Sequence, residues 1–288
     1  MKTTWKISQA CILITIVLAI ASPGMASVSD YAAAVVADAP IAYWRFEESS
    51  VSQAAINSMG TGCNGTYTTT VSLVQGVVGQ AASFNNVDAC VELPKSLGDG
   101  LKDASAITVE AWICNADLPG SGFEENMIFT TFIGQKAGAA LQMNGANISL
   151  GGRSDGTESF KSTLAAYNSI GEWHHIVGVL NFAADTVTVY IDGTVARSTS
   201  VSFKGSKYAY YDATNVWSPT IGATMTSSGM DRFFNGLIDE VAIYDQALSA
   251  EKVLEHYNLM PPPETTPEPA TVALFAVAGL AILRRPRA

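Results

Sequence analysis

The feature that most constrains the fold of this 288-residue chain is a two-residue alternation that leads into a tight-turn signal. Apolar residues alternate with threonine and tyrosine along residues 186–191, which is typical of a half-buried β-strand. Asp192-Gly193 follows, and a second β-rich run occupies residues 194–200. Because a type I′ turn needs positive φ at both central positions, Asp-Gly between two such runs predicts a β-hairpin.

Similar patterns recur along the chain. Asn144-Gly145 separates two further apolar runs, at 139–143 and 146–150, and predicts a second hairpin. Many short strands joined by Gly, Asn and Ser turns favour a sandwich or jelly roll over alternating β-α units. Further strands are predicted at residues 41–47, 81–85, 87–93, 107–115, 127–133, 173–182, 219–223 and 234–244.

Helical segments are few and short. Asp30 can cap one helix that ends at Ala37 before Pro40, and Ser249 can cap another over residues 250–257. Neither is long enough to build a helical layer. The sequence therefore predicts an all-β fold, a two-sheet antiparallel β-sandwich with two short peripheral helices.

The first 26 residues have the order of a secretory signal peptide. Two lysines precede an apolar run at residues 10–21, and a small-x-small step ends at Ala26. The run is too short for a membrane span. We therefore expect residues 1–26 to direct export and to be cleaved; an uncleaved N-terminal anchor is the alternative.

The other end of the chain has three ordered parts. Residues 261–269 form a proline-rich linker that contains Pro267, Glu268 and Pro269, and residues 270–288 are an apolar segment with a basic end. This end resembles the PEP-CTERM sorting signal of Gram-negative bacteria. The resemblance implies an exosortase-type partner, transient anchoring in the inner membrane, and processing at the cell surface. A plain C-terminal membrane anchor is the alternative.

The charge balance limits the possible partners. The chain has 16 basic and 26 acidic residues, for a net charge of −10, and five of the basic residues lie in the two terminal segments. Nucleic-acid binding needs clustered Lys and Arg, so we predict no nucleic-acid partner. No linker-like stretch interrupts residues 27–260, which we predict to form one domain.

Three cysteines, Cys63, Cys90 and Cys114, remain once residues 1–26 are removed. In an oxidising compartment the simplest outcome is one disulfide and one free thiol. We favour a Cys63–Cys90 disulfide, and the other pairings stay open.

Five sequence blocks follow one another along the central part of the chain. They are YAAAVVAD with PIAYWRFE, ASFNNVD with VELP, ITVEAWI, GEWHH with VYIDG, and FNGLIDEVAIY with ALSAE. In this order they resemble the laminin-G-like domains of the concanavalin A-like lectin/glucanase superfamily. The resemblance implies a two-sheet jelly roll over residues 27–260 and a lectin-like module, without fixing one activity.

The resemblance also implies one structural calcium ion at the rim of the sandwich. The matching position of the last block is Asp239, and Glu47, at the end of the first block, is the second candidate ligand. Calcium prefers carboxylate and carbonyl oxygens. A hydrogen-bonding role of Asp239 toward turn amides is the alternative.

Glycoside hydrolysis would need two carboxylates that flank the sugar bond. Glu110 is alone on its predicted strand, and Asp239 and Glu240 are adjacent, so that a regular strand would point them to opposite faces. We therefore predict no catalytic residues and no enzyme activity.

Aromatic residues form the candidate ligand-binding set. Tyr208, Tyr210, Tyr211 and Trp217 lie in a polar, turn-like stretch, and their rings could stack on sugar faces. The alternative is that these rings cover a sheet edge or the rim of the core.

Together these features predict an exported bacterial protein of the cell surface or extracellular matrix. Its domain would be a non-catalytic module that binds carbohydrate, such as an extracellular polysaccharide, or a surface partner. A divergent glycan-processing enzyme and a purely structural matrix component are the alternatives.

Overall fold

The computed structural model describes residues 28–60, 62–120, 125–131, 138–208, 218–226 and 228–260. The predicted signal peptide, the linker with its sorting motif and the C-terminal segment lie outside these residues, so their assignments stay predictions. No helix in the described part of the chain is long and apolar enough to cross a membrane.

Strands dominate the described residues. The helices are α1 (Val28–Ala37), α2 (Ser96–Leu101) and α3 (Ala250–Leu259). The strands are β1 (Ala42–Trp44), β2 (Thr66–Tyr67), β3 (Ser72–Gln75), β4 (Gln80–Asn85), β5 (Val91–Glu92), β6 (Ala106–Asn115), β7 (Glu125–Thr130), β8 (Gly138–Asn144), β9 (Asn147–Arg153), β10 (Lys161–Ala166), β11 (His174–Asn181), β12 (Thr186–Ile191), β13 (Thr194–Ser200), β14 (Thr220–Ile221), β15 (Thr224–Thr226), β16 (Gly229–Asp231) and β17 (Asn235–Tyr244).

Two antiparallel sheets form the sandwich. The first has the order β13-β12-β11-β6-β17-β4-β3, with β1 also paired to β17, and the second has the order β10-β9-β8-β7-β14-β5-β2. Strands β15 and β16 form a separate hairpin. The predicted all-β, two-sheet antiparallel fold is therefore confirmed, with α1 and α3 as its two longer helices.

The central strands of the first sheet, β11, β6 and β17, are buried on both faces. The inner face of the sheet joins the second sheet in a core that includes Trp44, Phe129 and Phe182. Its outer face packs under α1 and α3 through a second apolar cluster. This cover explains why Tyr190, which alternation turns away from the main core, is only 8% exposed. Burying such a ring contributes roughly 2–3 kcal/mol.

The two predicted hairpins both form, but their turns differ. Asp192 and Gly193 have φ values of 50° and 74°, as a type I′ turn requires. In the second hairpin β8 ends at Asn144 and β9 begins at Asn147, so the turn is Gly145-Ala146, one residue later than the predicted Asn144-Gly145. Of its residues only Gly145, at 54°, has positive φ.

A β-bulge interrupts β17 at its two acidic residues. The pairing with β6 shifts between Asp239 and Ala242, and Glu240 has a φ of 51°. Ile238 and Val241 consequently both belong to the inner core, although they are three positions apart. The expectation that Asp239 and Glu240 face opposite sides is therefore wrong, because it assumed a regular strand.

The favoured Cys63–Cys90 disulfide is not formed, and Cys63, Cys90 and Cys114 are free thiols. The register of β2 and β5 explains why. Cys90 lies opposite Thr68, whose N–H donates to the Cys90 carbonyl at 3.0 Å, whereas the Cys63 Sγ lies 3.8 Å from the Ser96 Oγ. Five residues of roughly extended chain, on the order of 15 Å, separate the two cysteines, and a disulfide needs Cα atoms within about 7 Å.

Candidate functional site

The four aromatic residues that were predicted to bind a ligand do not form a surface among the residues that the structure describes. Tyr208 is fully buried, its hydroxyl lies 3.1 Å from the Thr131 Oγ1, and its ring stacks on Phe182. Its prediction as a ligand-binding residue is therefore wrong, because the ring is part of the core. Tyr210, Tyr211 and Trp217 lie outside the described residues, and their role stays a prediction.

A polar cleft opens instead at one end of the sandwich, and we call it the rim cleft. It has a volume of about 530 Å³ and lies where β6 ends, β7 begins and the β15–β16 hairpin leads into β17. Its lining includes Asn86, Asp117, Glu125, Asn126, Asp231, Arg232 and Phe233.

Backbone hydrogen bonds hold the walls of the rim cleft together. The Met127 N–H donates to the Arg232 carbonyl at 2.9 Å, and the Asn86 N–H donates to the Phe234 carbonyl at 2.9 Å. Arg232 and Asn86 both have positive φ, at 55° and 58°. For Arg232 this conformation costs about 1–3 kcal/mol, which the surrounding contacts must offset.

The acidic side chains of the rim cleft are held by neighbours. Asp117 accepts a hydrogen bond from the Asn235 side chain at 2.7 Å, and the Glu125 carboxylate pairs with the Arg232 guanidinium. Buried Asn115 fixes the turn from beneath, because its amide donates to the Asp117 carbonyl at 2.8 Å. These contacts fix the positions of the Asp117 and Glu125 carboxylates at the cleft.

Asn126 is the most informative residue of the rim cleft. It is only 8% exposed and lines the cleft, yet its side-chain amide has no hydrogen-bond partner among the described residues. The Asn126 amide is open to the cleft rather than enclosed in the core, so a ligand can reach it, and a hydrogen bond to it is worth about 0.5–1.5 kcal/mol. Half-buried Phe233 adds an aromatic ring to the same cleft. Stacking on a ring and hydrogen bonding to amides and carboxylates is chemistry that suits a sugar.

Local sequence patterns do not reveal the rim cleft. Its residues come from four separate segments, and none of them carries a motif. The available signal was weak: Asn86, Asp117 and Asp231 all lie in or beside predicted turns. Only strand pairing shows that these turns share one end of the sandwich.

The two predicted calcium ligands meet at the β3–β4 turn. Asp239 accepts from the Val78 N–H at 3.3 Å and Glu47 from the Gln80 N–H at 3.4 Å. Asp239 is fully buried, and burial, with nearby Glu47 as a smaller cause, raises its pKa well above the usual range. A cation would stabilise that charge, so these residues fit calcium.

Further calcium ligands would have to come from elsewhere. Within the described ranges, no group of three or more His, Cys, Asp or Glu side chains could hold a metal ion. Backbone carbonyls of the β3–β4 turn and water are the remaining oxygen donors. Glu47 also borders an opening of about 480 Å³.

A buried polar cluster, centred on Glu110, lies between the helices and the first sheet. The Glu110 carboxylate accepts from the hydroxyls of Tyr31 at 3.2 Å and Tyr244 at 2.8 Å. It also lies 2.8 Å from the His175 Nε2 and 3.1 Å from the His256 Nδ1. Glu110 and both histidines are fully buried, so this cluster fastens α1 and α3 to the sheet rather than meeting a ligand.

The adjacent acids of β17 are buried as well. Glu240 accepts from the Tyr43 hydroxyl and pairs with the Arg45 Nε at 3.0 Å. Burial raises the pKa of Glu240 well above its usual range. Asp239 and Glu240 are each 0% exposed, so a polysaccharide cannot reach either carboxylate in this structure.

Comparison with known proteins assigns the fold. Residues 85–254 match a laminin-G family described as the Concanavalin A-like lectin/glucanases superfamily, over more than half of the chain. No curated protein matches the sequence.

Solved structures show the same fold. Domain 4 of AbnA, a GH43 extracellular arabinanase from Geobacillus stearothermophilus, in complex with arabinotriose, has a TM-score of 0.54 and 22% identity, over 76% of this chain and 98% of that chain. The ligand-binding domain of botulinum neurotoxin serotype D, in complex with N-acetylneuraminic acid, has a TM-score of 0.56 and 16% identity, over 80% of this chain and 56% of that chain. The receptor-binding domain of botulinum neurotoxin type G has a TM-score of 0.55 and 14% identity, over 76% of this chain and 51% of that chain. The chain thus spans about half the length of the neurotoxin domains that it matches.

Proposed function

Because the chain belongs to the concanavalin A-like lectin/glucanases superfamily, we propose that it is a non-catalytic module that binds carbohydrate in the rim cleft. The observation that carries this proposal is the amide of Asn126, which has no partner among the described residues and lines a polar cleft beside a half-exposed aromatic ring. The complexes of two structural neighbours with arabinotriose and N-acetylneuraminic acid support a carbohydrate partner. Sequence identity is too low to transfer either sugar to this chain.

The test is glycan-array screening of the full chain, followed by calorimetry with the best glycan. Asn126→Leu and Asp231→Ala should each weaken binding about tenfold, because a lost hydrogen bond is worth about 1–1.5 kcal/mol. Asp99→Ala removes an exposed carboxylate on α2 and should leave the affinity unchanged. Lack of binding to every glycan, or binding that neither cleft variant weakens, would contradict the proposal.

The non-catalytic part of the proposal rests on the positions of the carboxylates. Glu110, Asp239 and Glu240 are fully buried, and each carboxylate of the rim cleft is held by a neighbour: Glu125 by Arg232, Asp117 by the Asn235 amide and Asp231 by the Arg232 N–H. Release of reducing ends from any bound polysaccharide would instead support the enzyme alternative.

We also propose that one calcium ion binds at Asp239, with Glu47 as its second carboxylate ligand. Calcium would offset the charge of the buried Asp239 and should raise the melting temperature of the full chain. Thermal melts in calcium and in EDTA measure this, and Asp239→Asn should abolish the difference. Asp88→Asn, at an exposed carboxylate on another turn, is the matched control. Equal melting temperatures in both buffers would contradict calcium binding.

Export and surface sorting complete the proposed function. The signal-peptide order of residues 1–26 and the Pro267-Glu268-Pro269 motif before residues 270–288 support this. Mass spectrometry of the native protein should find cleavage after Ala26 and loss of the C-terminal segment. An intact N-terminus in the cell envelope would support the uncleaved-anchor alternative instead.

A further inference from the structure

The charges of the rim cleft restrict the class of glycan that fits there. Among the described residues that line it are three carboxylates, Asp117, Glu125 and Asp231, and one cation, Arg232. Arg232 is paired with Glu125 through one guanidinium nitrogen, so its charge is already offset by one of the three carboxylates. The rim cleft therefore presents two uncompensated negative charges within a chain whose net charge is also negative.

The free hydrogen-bonding atoms point the same way. Asp117 uses one carboxylate oxygen on the Asn235 amide, and Asp231 uses one on the Arg232 N–H, at 2.8 Å. The other oxygen of each remains an acceptor, and Asn126 offers an amide. A ligand that satisfies this set must donate hydrogen bonds, as the vicinal hydroxyls of a sugar do.

Resting on the proposed function, we infer that the rim cleft selects neutral, hydroxyl-rich glycans and rejects glycans that carry carboxylates. A uronic acid residue would bring a third negative charge beside Asp117 and Asp231, with no free cation of the rim cleft to offset it. Like-charge repulsion across such a cleft weakens binding and is reduced by salt.

The experiment compares arabinotriose and galactotriose with trigalacturonate by calorimetry on the full chain. At least one neutral probe should bind at least tenfold more tightly than trigalacturonate, and added salt should narrow the gap. Asp117→Asn/Asp231→Asn should strengthen trigalacturonate binding about tenfold, whereas Glu92→Gln/Asp99→Asn, at exposed acids on β5 and α2, should not change it.

The outcomes separate this inference from the function on which it rests. Trigalacturonate binding as tightly as both neutral probes overturns the charge selection alone. No change of trigalacturonate affinity in the cleft double variant also overturns it. Failure of every probe, together with an empty glycan array, overturns the proposed function and the inference with it.

Discussion

Glu110 is the residue on which the attachment of the two longer helices depends most. Burial would raise the pKa of its carboxyl, but hydrogen bonds from His175 and His256 and their charges outweigh this and hold the pKa well below the usual range. Burial lowers the pKa of His256, yet Glu110 and Asp38 together raise it above the usual value. The cluster therefore links the helices to the sheet through a charge pair.

This pair should make stability depend on pH. The Glu110 contribution is present above its unfolded pKa, about 4.3, and is lost as the pH falls through its folded value. The His256 contribution is present below about pH 6.5 and is lost as the pH rises through its raised folded value. Glu110→Gln should therefore lower the free energy of unfolding by about 3 kcal/mol at pH 5.5 and by less at pH 9.

Urea denaturation at the two pH values measures this difference. Glu92→Gln, at an exposed carboxylate on β5, is the control and should change little at either pH. If Glu110→Gln lowered the free energy of unfolding equally at pH 5.5 and pH 9, the result would contradict a charge pair between Glu110 and His256.

Tyr208 shows how far composition can mislead at the residue scale. Its polar neighbours in the sequence suggested a surface ring, but the contact with Thr131 lies in the core. Tyr208→Phe should cost about 1 kcal/mol of unfolding free energy, by loss of that hydrogen bond, and leave glycan binding unchanged. Scanning calorimetry measures the stability of the variant, and titration calorimetry measures its glycan affinity. A loss of glycan affinity would restore Tyr208 as a ligand-binding residue.

At the scale of elements, local periodicity predicted most strands because alternation and turn residues act within a few positions. The short helix α2 was missed, since its sequence Ser96–Leu101 contains two glycines that disfavour helix. The bulge at Glu240 was missed because a non-glycine residue with positive φ leaves no mark in the sequence. The rim cleft was missed for another reason. Asn126 and Asp231 line it together although they are far apart along the chain, and the backbone hydrogen bond from Met127 to Arg232 that joins their segments leaves no local sequence pattern.

The β12–β13 turn offers a matched test of helix docking. A Cβ at Gly193 would lie 3.0 Å from Leu254 and Tyr257 of α3, and φ there is 74°. Gly145 has a similar φ of 54°, but nothing lies within 4 Å of its added Cβ. Gly193→Ala should thus cost about 2–3 kcal/mol and Gly145→Ala about 1 kcal/mol, the strain of the turn alone. Equal costs in urea denaturation would show that α3 does not pack against this turn.

At the scale of the whole molecule, the sandwich separates its buried acidic residues from those of the proposed binding cleft. The buried acids of the first sheet meet tyrosines, histidines and an arginine, whereas the acids of the rim cleft lie at an open end where several turns converge. The sequence predicted the sandwich and a carbohydrate-binding module. It also predicted that four aromatic side chains bind the ligand, but Tyr208, the one of them that the structure describes, lies in the core. A rigid scaffold that presents such turns is a common way to carry a binding site.

The most direct measurement is a crystal structure of the full chain with arabinotriose. The account predicts the sugar in the rim cleft, within hydrogen-bond distance of the Asn126 amide and the Asp231 carboxylate and against the Phe233 ring. An ordered sugar elsewhere on the sandwich, with only water in the rim cleft, would contradict it.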